Sequence, residues 1–490
     1  MNYANYKSTR SDIYVSDLEA VLQGLAPDGG LFVDPTLSER SFDWRRCLTL
    51  DELGMMSMIL RHLLPGFDNM EALVKKAYAG KFENGLLSPL VRCGDDYVME
   101  LYHGPTSAFK DVALSMLPHL ITKAREQTGM DDEILILTAT SGDTGKAALE
   151  GFHDVEGTGI IVFYPDGGVS PVQRAQMATQ EGKNVKVCAL KGNFDDCQRG
   201  VKEAFSKLGG RKGTGRILSS ANSINIGRLA PQVCYYFSAY AQLIACGDIA
   251  VGDEIDFVVP TGNFGDVLAG YYAKLLGLPV GRLVVAANEN NVLADFISTG
   301  AYDIRRPFIR TDSPSMDILV SSNLERLLYL ASGGSSEKVR GWMDDLSKTG
   351  VYTVDAETLA NIRSVFCAGY STQRECDAAC AKIWQERHYL IDPHTAVAFA
   401  VLDKIGRGKR KCVALSTASP YKFPAAVLRS IGGDCSGDEF EQMQKLEAMT
   451  GVKAPKNLAG LREKKILHTD VIEKDALIDY VGAVLERGIN

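Results

Sequence analysis

The sequence predicts an α/β protein built on open, mostly parallel sheets flanked by helices, and three observations predict it. From about residue 130 onward short β-branched runs recur: EILILT (133–138), GIIVFY (159–164), VKVCAL (185–190), EIDFVV (254–259), RLVVAAN (282–288) and KCVALST (411–417). These runs are apolar throughout rather than alternating, as strands covered on both faces are. Helix-like segments separate most of them, and strand–helix–strand repetition argues for parallel pairing. Such sheets bind ligands in the loops that leave the C-terminal ends of their strands.

Taken in order, residues 1–95 lack this rhythm. They mix possible helices (SDLEAVLQGL, MEALVKKAYAG) with turn signals such as APDGG, and read as a separate N-terminal module. LYHGPTSAFKD (101–111) is a turn running into a helix, with Phe109, Val112, Ala113, Met116, Leu117, Leu120 and Ile121 on one face. Thr106 or Ser107 is its expected cap and Pro118 its expected kink. The later helices are SPVQRAQMATQEG, FDDCQRGVKEAFSKLGG, GRLAPQVCYYFSAYAQLIAC and DVLAGYYAKLLG. Residues 315–390 read as a largely helical insertion, and the chain past about 432 as a polar helical tail. The expected division is 1–95, then 96–130 with 226–432 as a large domain, 131–225 as a small one, and 433–490.

The formal net charge of -8 argues against nucleic acid as the main partner, which needs a basic face. The compact basic run GRGKRK (406–411) lies between apolar segments and reads as a solvated turn. The eleven cysteines are scattered, with no CxxC pair. Cys376 and Cys380 share a helix face but lack further ligands at zinc spacing, so reduced thiols and no metal are expected. No apolar signal core opens the chain and no run reaches membrane-spanning length, so a cytoplasmic protein without membrane partners is expected.

Five stretches carry possible chemistry. Lys110 stands at a helix start, where the dipole disfavours an ammonium and so favours a neutral, nucleophilic amine. An exposed surface lysine is the plainer alternative. In LTATSGDTGKAALEGF (137–152) a strand runs through a Thr/Ser/Gly loop into a helix, which suits an anion. It is not a nucleotide P-loop, because Gly142 to Gly145 is too short a spacing and Ala147 replaces the required hydroxyl. VVPTGNFGDVLAGYYA (258–273) has the same grammar. There Gly262 and Gly265 permit close approach, and Asn263, Phe264 and Gly265 can aim amides at a phosphate. A tight loop capped by Asp266 is the alternative. In SSANSINIGRLAPQ (219–232), Asn222, Ser223 and Arg228 can grip a phosphate or carboxylate, or merely start a helix. In LSTASPYKFP (415–424), Thr417 can meet a ring nitrogen, or lie in a simple turn. In LIDPHTAVA (390–398), Asp392 reads as a cap and Pro393 as the first helical residue; His394 is left as structural.

In this order HGPTSAFKD, TATSGDTGKAA, NSINIGRLAPQ, PTGNFGD and DPHTAVA resemble the threonine synthase family, pyridoxal-phosphate enzymes of the tryptophan-synthase-β fold type. YKSTR (6–10) and GLAPDGGLFV (24–33) resemble the opening of its longer bacterial and fungal-type branch, so the likeness runs from about residue 6 to about 424. The resemblance implies two sheets (fold type II), pyridoxal 5'-phosphate as cofactor, and Lys110 as its covalent anchor and proton shuttle. It implies Phe109 beside the ring, and Gly262, Asn263, Phe264 and Gly265, with Asp266, at the cofactor phosphate. It implies Thr417 at the pyridine nitrogen, Ser141, Gly142, Asp143 and Thr144 at the substrate carboxylate and near the phenolic oxygen, and Asn222, Ser223 and Arg228 at the substrate's own phosphate. The implied reaction turns O-phospho-L-homoserine and water into L-threonine and phosphate by γ-elimination and β-addition, in a monomer or homodimer whose small domain closes over the substrate. A phospho-lyase giving 2-oxobutyrate is the alternative outcome. The sequence departs from the family pattern at Ser419, where histidine is usual, and at Ser11, where glycine is usual.

Overall fold

The computed structural model describes residues 5–140, 142–209 and 214–489. Its strands are β1 (Asn5–Ser8), β2 (Tyr14–Ser16), β3 (Phe32–Val33), β4 (Leu90–Cys93), β5 (Asp96–Glu100), β6 (Glu133–Ala139), β7 (Thr158–Pro165) and β8 (Val185–Lys191). They continue with β9 (Arg216–Ser220), β10 (Ile255–Pro260), β11 (Val280–Ala287), β12 (Ala301–Asp303), β13 (Val351–Thr353), β14 (Phe366–Tyr370), β15 (Cys412–Ser416) and β16 (Asp470–Glu473). The six apolar runs seen in the sequence are β6, β7, β8, β10, β11 and β15.

Two sheets carry the architecture. The larger has the order β14-β11-β10-β15-β5-β4, parallel except for the terminal β4–β5 hairpin. The smaller, β16-β8-β7-β6-β9, is wholly parallel. The N-terminal residues add a three-stranded antiparallel sheet, β2-β1-β3, and β12 pairs with β13.

Side-chain alternation divides each sheet between two cores. Ile134 and Ile136 of β6 join the main core, while Leu135 and Leu137 face a second one with Leu477, Val481 and Leu485. Likewise Phe257 and Val259 of β10 enter the main core, and Val258 packs with Val397 and Val401 of the Pro393–Ile405 helix. The main core also contains Val112, Leu114, Leu117, Leu120 and Ile121 of the Lys110–Gln127 helix. That helix runs unbroken through Pro118. Among the described residues no helix is long and apolar enough to cross a membrane.

Several spans differ from their sequence reading. The 315–390 region is not only helical: β14 lies in it and forms the edge of the large sheet beside β11. The C-terminal span is not only helical either, since β16 adds an edge strand to the small sheet and the Leu477–Arg487 helix packs beneath it. The signal was weak because β16 is short and its side chains are mostly exposed. β4, although within the first 95 residues, belongs to the large sheet.

Candidate active site

Lys110 is the first residue of its helix and is only 9% exposed, which excludes a surface lysine. The expected side-chain cap does not form. Phe109 occupies the cap position, and Thr106 instead donates its N–H and hydroxyl to Asp111 at 2.8 and 2.5 Å. Ser107 is drawn away to Asn457 of the C-terminal segment, at 3.0 Å. The Lys110 Nζ lies 4.7 Å from the centre of the Phe109 ring and donates to Ser315 Oγ at 3.4 Å. Burial pulls the amine down to about 8; Asp143 opposes the fall, Lys422 and Arg228 reinforce it, and Asp111 opposes it. Desolvation and neighbouring cations thus supply the depression that the helix start alone suggested.

The loop after β15 is laced against this turn. Phe109 N–H donates to the Thr417 carbonyl at 2.9 Å, and Ser419 N–H donates to the Ser107 carbonyl at 3.1 Å. Thr417 is buried beside Phe109. Ser419 caps its own turn, accepting from the Tyr421 N–H at 3.3 Å, and Ser11 binds Asp28. Both departures from the family pattern are therefore absorbed locally.

After β6, Gly142 takes φ +139, and a Cβ there would lie 2.3 Å from the Gln173 side chain. Thr140 Oγ1 accepts the N–H groups of Gly142 and Gly145 at 2.9 and 2.8 Å. The Gly142 amide is thus engaged within the loop rather than turned to a ligand. Asp143 and Thr144 open the Asp143–Phe152 helix, whose first-turn amides have no partner within the helix. Ser141, the remaining residue expected here, lies outside the described residues. The Asp143 carboxylate pairs with Lys422 Nζ at 2.7 Å and accepts from Gln173 Nε2 at 3.0 Å and Ser315 Oγ at 3.4 Å. Burial would raise this carboxyl, but Lys422 and Lys110 more than offset it and hold it well below the usual range. Its side chain is therefore engaged by Lys422, Gln173 and Ser315, which leaves the first-turn backbone amides of Asp143 and Thr144 as the donors at this helix start.

After β10, the Gly262 carbonyl accepts from Ser321 Oγ at 2.7 Å, and the Asn263 carbonyl accepts from Asn323 N–H and Nδ2 at 3.1 Å each. A trans peptide points its N–H opposite its carbonyl, so the Asn263 and Phe264 amides face away from those partners. Phe264 adopts φ +63 and packs its buried ring on Phe366. Gly262 is required by close approach: a Cβ would stand 2.8 Å from the Ser315 carbonyl. Gly265 begins the helix, and Phe264, not Asp266, occupies the cap position. Asp266 instead accepts from the Tyr235 and Tyr236 hydroxyls at 2.5 and 3.0 Å, leaving Oδ2 buried and unpaired. Burial raises its carboxyl to about 6 against the pull of both tyrosines and Lys110.

After β9, Arg228 is 3% exposed. Its Nη1 donates to the Ala221 carbonyl at 2.5 Å, its Nε has no partner, and no carboxylate pairs with it among the described residues. Burial lowers it to about 10, which leaves it a cation at neutral pH. Asn222 and Ser223 precede it on the same loop and are partly exposed.

Residues that local sequence did not single out join these loops. Asn323 Nδ2 donates to the Ser223 and Asn263 carbonyls at 3.1 Å each, and its Oδ1 accepts from Arg326 Nη1 at 2.5 Å. Arg326, fully buried, also donates to the Phe32 and Ile224 carbonyls. The neighbouring Glu325 receives Thr9 and Arg10 of the N-terminal module. His394, expected to be structural, accepts from Ser315 N–H at 3.2 Å while its Nδ1 meets Asp392 at 2.6 Å. It thereby holds the serine that Lys110 touches.

The residues present suit an aldehyde cofactor bearing a phosphate. Near a buried amine depressed toward neutrality stand a loop with amides turned outward, which packs on the same Ser315, and an arginine with an unpaired N–H.

Known proteins share this plan. Residues 87–417 match the pyridoxal-phosphate dependent enzyme family, and residues 395–477 match the C-terminal region of threonine synthase. Threonine synthase of Saccharomyces cerevisiae is 36% identical over 468 residues, covering 87% of this chain and 89% of that protein. Threonine synthase-like 1 of Pongo abelii is 36% identical over 432 residues, and the match covers 84% of this chain but 58% of that longer protein. A crystal structure of pyridoxal-phosphate-bound threonine synthase from Brucella melitensis superposes with a TM-score of 0.86 at 36% identity, covering 99% of both chains. The expected fold type is therefore the one found, and the chain belongs to the threonine synthase family of pyridoxal-phosphate-dependent enzymes.

Proposed function

We propose that the chain converts O-phospho-L-homoserine and water to L-threonine and phosphate, and that the residues described above carry that reaction. The observation that carries the substrate reading is Arg228: a buried cation with an unpaired Nε and no carboxylate partner among the described residues, close enough to Lys110 to depress its amine. Such a group favours a dianionic phosphate over a neutral hydroxyl.

Pyridoxal phosphate, when bound, supplies an electron sink that stabilises negative charge beside the substrate's amine-bearing carbon. Lys110 Nζ would hold its aldehyde carbon, the Asn263, Phe264 and Gly265 amides and the helix start would hold its phosphate, and Gly262 would leave room for it. Phe109 would flank the ring and Thr417 would meet the ring nitrogen, and Asp266 lies within electrostatic reach of Lys110.

For substrate, the first-turn amides of Asp143 and Thr144 receive the carboxylate. Asn222, Ser223 and Arg228 receive the phosphate. Lys110 removes and returns protons along the substrate chain, and an amine near 8 is suited to both directions at neutral pH. Arg228 stabilises the charge that develops as phosphate departs. Burial of Lys110 keeps bulk water away from its amine. The start of the helix after β6 meets the large-sheet loops through Asp143, at Lys422 and Ser315, and closure of the small sheet over the substrate would act at that junction.

The test compares O-phospho-L-homoserine with L-homoserine at equal concentration. Turnover confined to the phosphorylated substrate supports the reading. Equal turnover of both would overturn the role given to Arg228.

A further inference from the structure

Lys422 is a buried cation to which the reaction above gives no task. Its side chain is fully buried on the turn after β15, with Nζ 2.7 Å from Asp143 Oδ1 and 3.0 Å from the Thr106 carbonyl. Asp143 opens a helix of the small sheet, and Thr106 lies in the turn leading to Lys110. One ammonium therefore ties three segments from both sheets. Gln173 shares the same carboxylate oxygen, and Ser315 bridges the other oxygen to Lys110 Nζ, at 3.4 Å on each side. Asp143 thus stands between two amines.

We propose that Lys422 is a positioning residue for the chemistry at Lys110: its ammonium holds the Asp143 carboxylate to itself, fixes the small-sheet loop against the lysine turn, and keeps Asp143 from charging the Lys110 amine. The proposal rests on reading Lys110 as the amine that takes the cofactor. An unopposed carboxylate beside a buried amine favours the ammonium form, and a cation already bound to that carboxylate offsets much of the effect. The groups facing Lys110 are Asp143 from the helix after β6, Lys422 from the turn after β15 and Arg228 from the helix after β9. Asp111 faces it from its own helix, and Asp266 from the helix after β10. Without Lys422 three carboxylates face Lys110 against one arginine.

The test uses the full-length chain stripped of cofactor, with pyridoxal phosphate added from about pH 6 to about pH 10. The rate at which visible absorbance develops reads the neutral fraction of Lys110, and circular dichroism checks the fold. The wild-type rate rises with a midpoint of about 8. Lys422→Gln is expected to move that midpoint up by about one unit, slowing capture at neutral pH about tenfold and recovering at higher pH. Lys422→Arg, which keeps the charge, restores the wild-type midpoint. The double variant Lys422→Gln, Asp143→Asn returns it to within about half a unit, because the opposing charge is gone as well. If Lys422→Gln does not fold, Asp143→Asn alone must lower the midpoint, since Lys422 is then unopposed. A rate lowered equally at every pH with an unmoved midpoint would reduce Lys422 to a structural part and overturn the proposal. A double variant shifted as far as the single one would overturn it too. A chain that captures cofactor with these midpoints but makes no threonine fails the proposed reaction, not this inference.

Discussion

Asn323→Ala tests whether the loops after β9 and β10 are positioned by a common side chain. The substitution removes donors to the Ser223 and Asn263 carbonyls and the acceptor for Arg326, at 3.1, 3.1 and 2.5 Å. The site is fully buried, so water cannot take their place. Each neutral bond contributes about 1 kcal/mol net and the bond to the guanidinium about 2 kcal/mol, so the local loss is about 3–4 kcal/mol. The Asn263 carbonyl keeps the backbone N–H of residue 323, so the loop shifts rather than unravels. Displacing one phosphate-directed amide costs about 1.5–3 kcal/mol, which is about ten- to a hundredfold in cofactor affinity. An absorbance titration with pyridoxal phosphate on folded protein measures this. An affinity within about threefold of wild type, in a variant whose melting temperature is also unchanged, would refute the hub.

Other outcomes follow from single contacts. Gly262→Ala places a Cβ 2.8 Å from the Ser315 carbonyl. An overpacking strain of about 1–3 kcal/mol is expected to weaken cofactor binding, read by the same titration. Arg228→Gln is expected to lower kcat/KM for O-phospho-L-homoserine by about a hundredfold or more while leaving cofactor affinity within a few-fold; steady-state kinetics and titration together check it. Asp266 has a folded-state pKa of about 6, raised above the unfolded value, so the folded chain binds the extra proton. Its contribution is therefore favourable at low pH and lost as pH rises from about 4 to about 6. Asp266→Asn should raise the melting temperature of the cofactor-free chain at pH 7 and not at pH 4, as thermal scans at the two pH values would show.

The strands that build the sheet centres were legible because burial on both faces leaves only apolar choices. β14, FCAGY, was not: at the sheet edge its partly exposed residues carry no strong pattern, and it sits among helices. In the site, Lys110, the two loops after β6 and β10, and Arg228 stood out as candidates, each with a plainer alternative beside it, and the ordered family resemblance rather than the local grammar singled out the roles proposed for them. The spacing could not reveal that the Gly142 amide serves Thr140, or that Lys422 neutralises Asp143. Ser315, Asn323 and Arg326 act through partners far away in sequence: Ser315 reaches Lys110 across 205 positions, and Arg326 reaches Phe32 across 294. No local window contains such a signal. Lys422 offered a faint one, a lysine on a strand-end turn like Lys110, but only its burial against Asp143 gives it meaning.

The most direct measurement incubates cofactor-loaded protein and Lys110→Ala with O-phospho-L-homoserine and quantifies phosphate, threonine and 2-oxobutyrate together. The account predicts phosphate and threonine in equal amounts from the wild type, and neither from Lys110→Ala. Phosphate accompanied by 2-oxobutyrate without threonine, or turnover surviving the loss of Lys110, would contradict it.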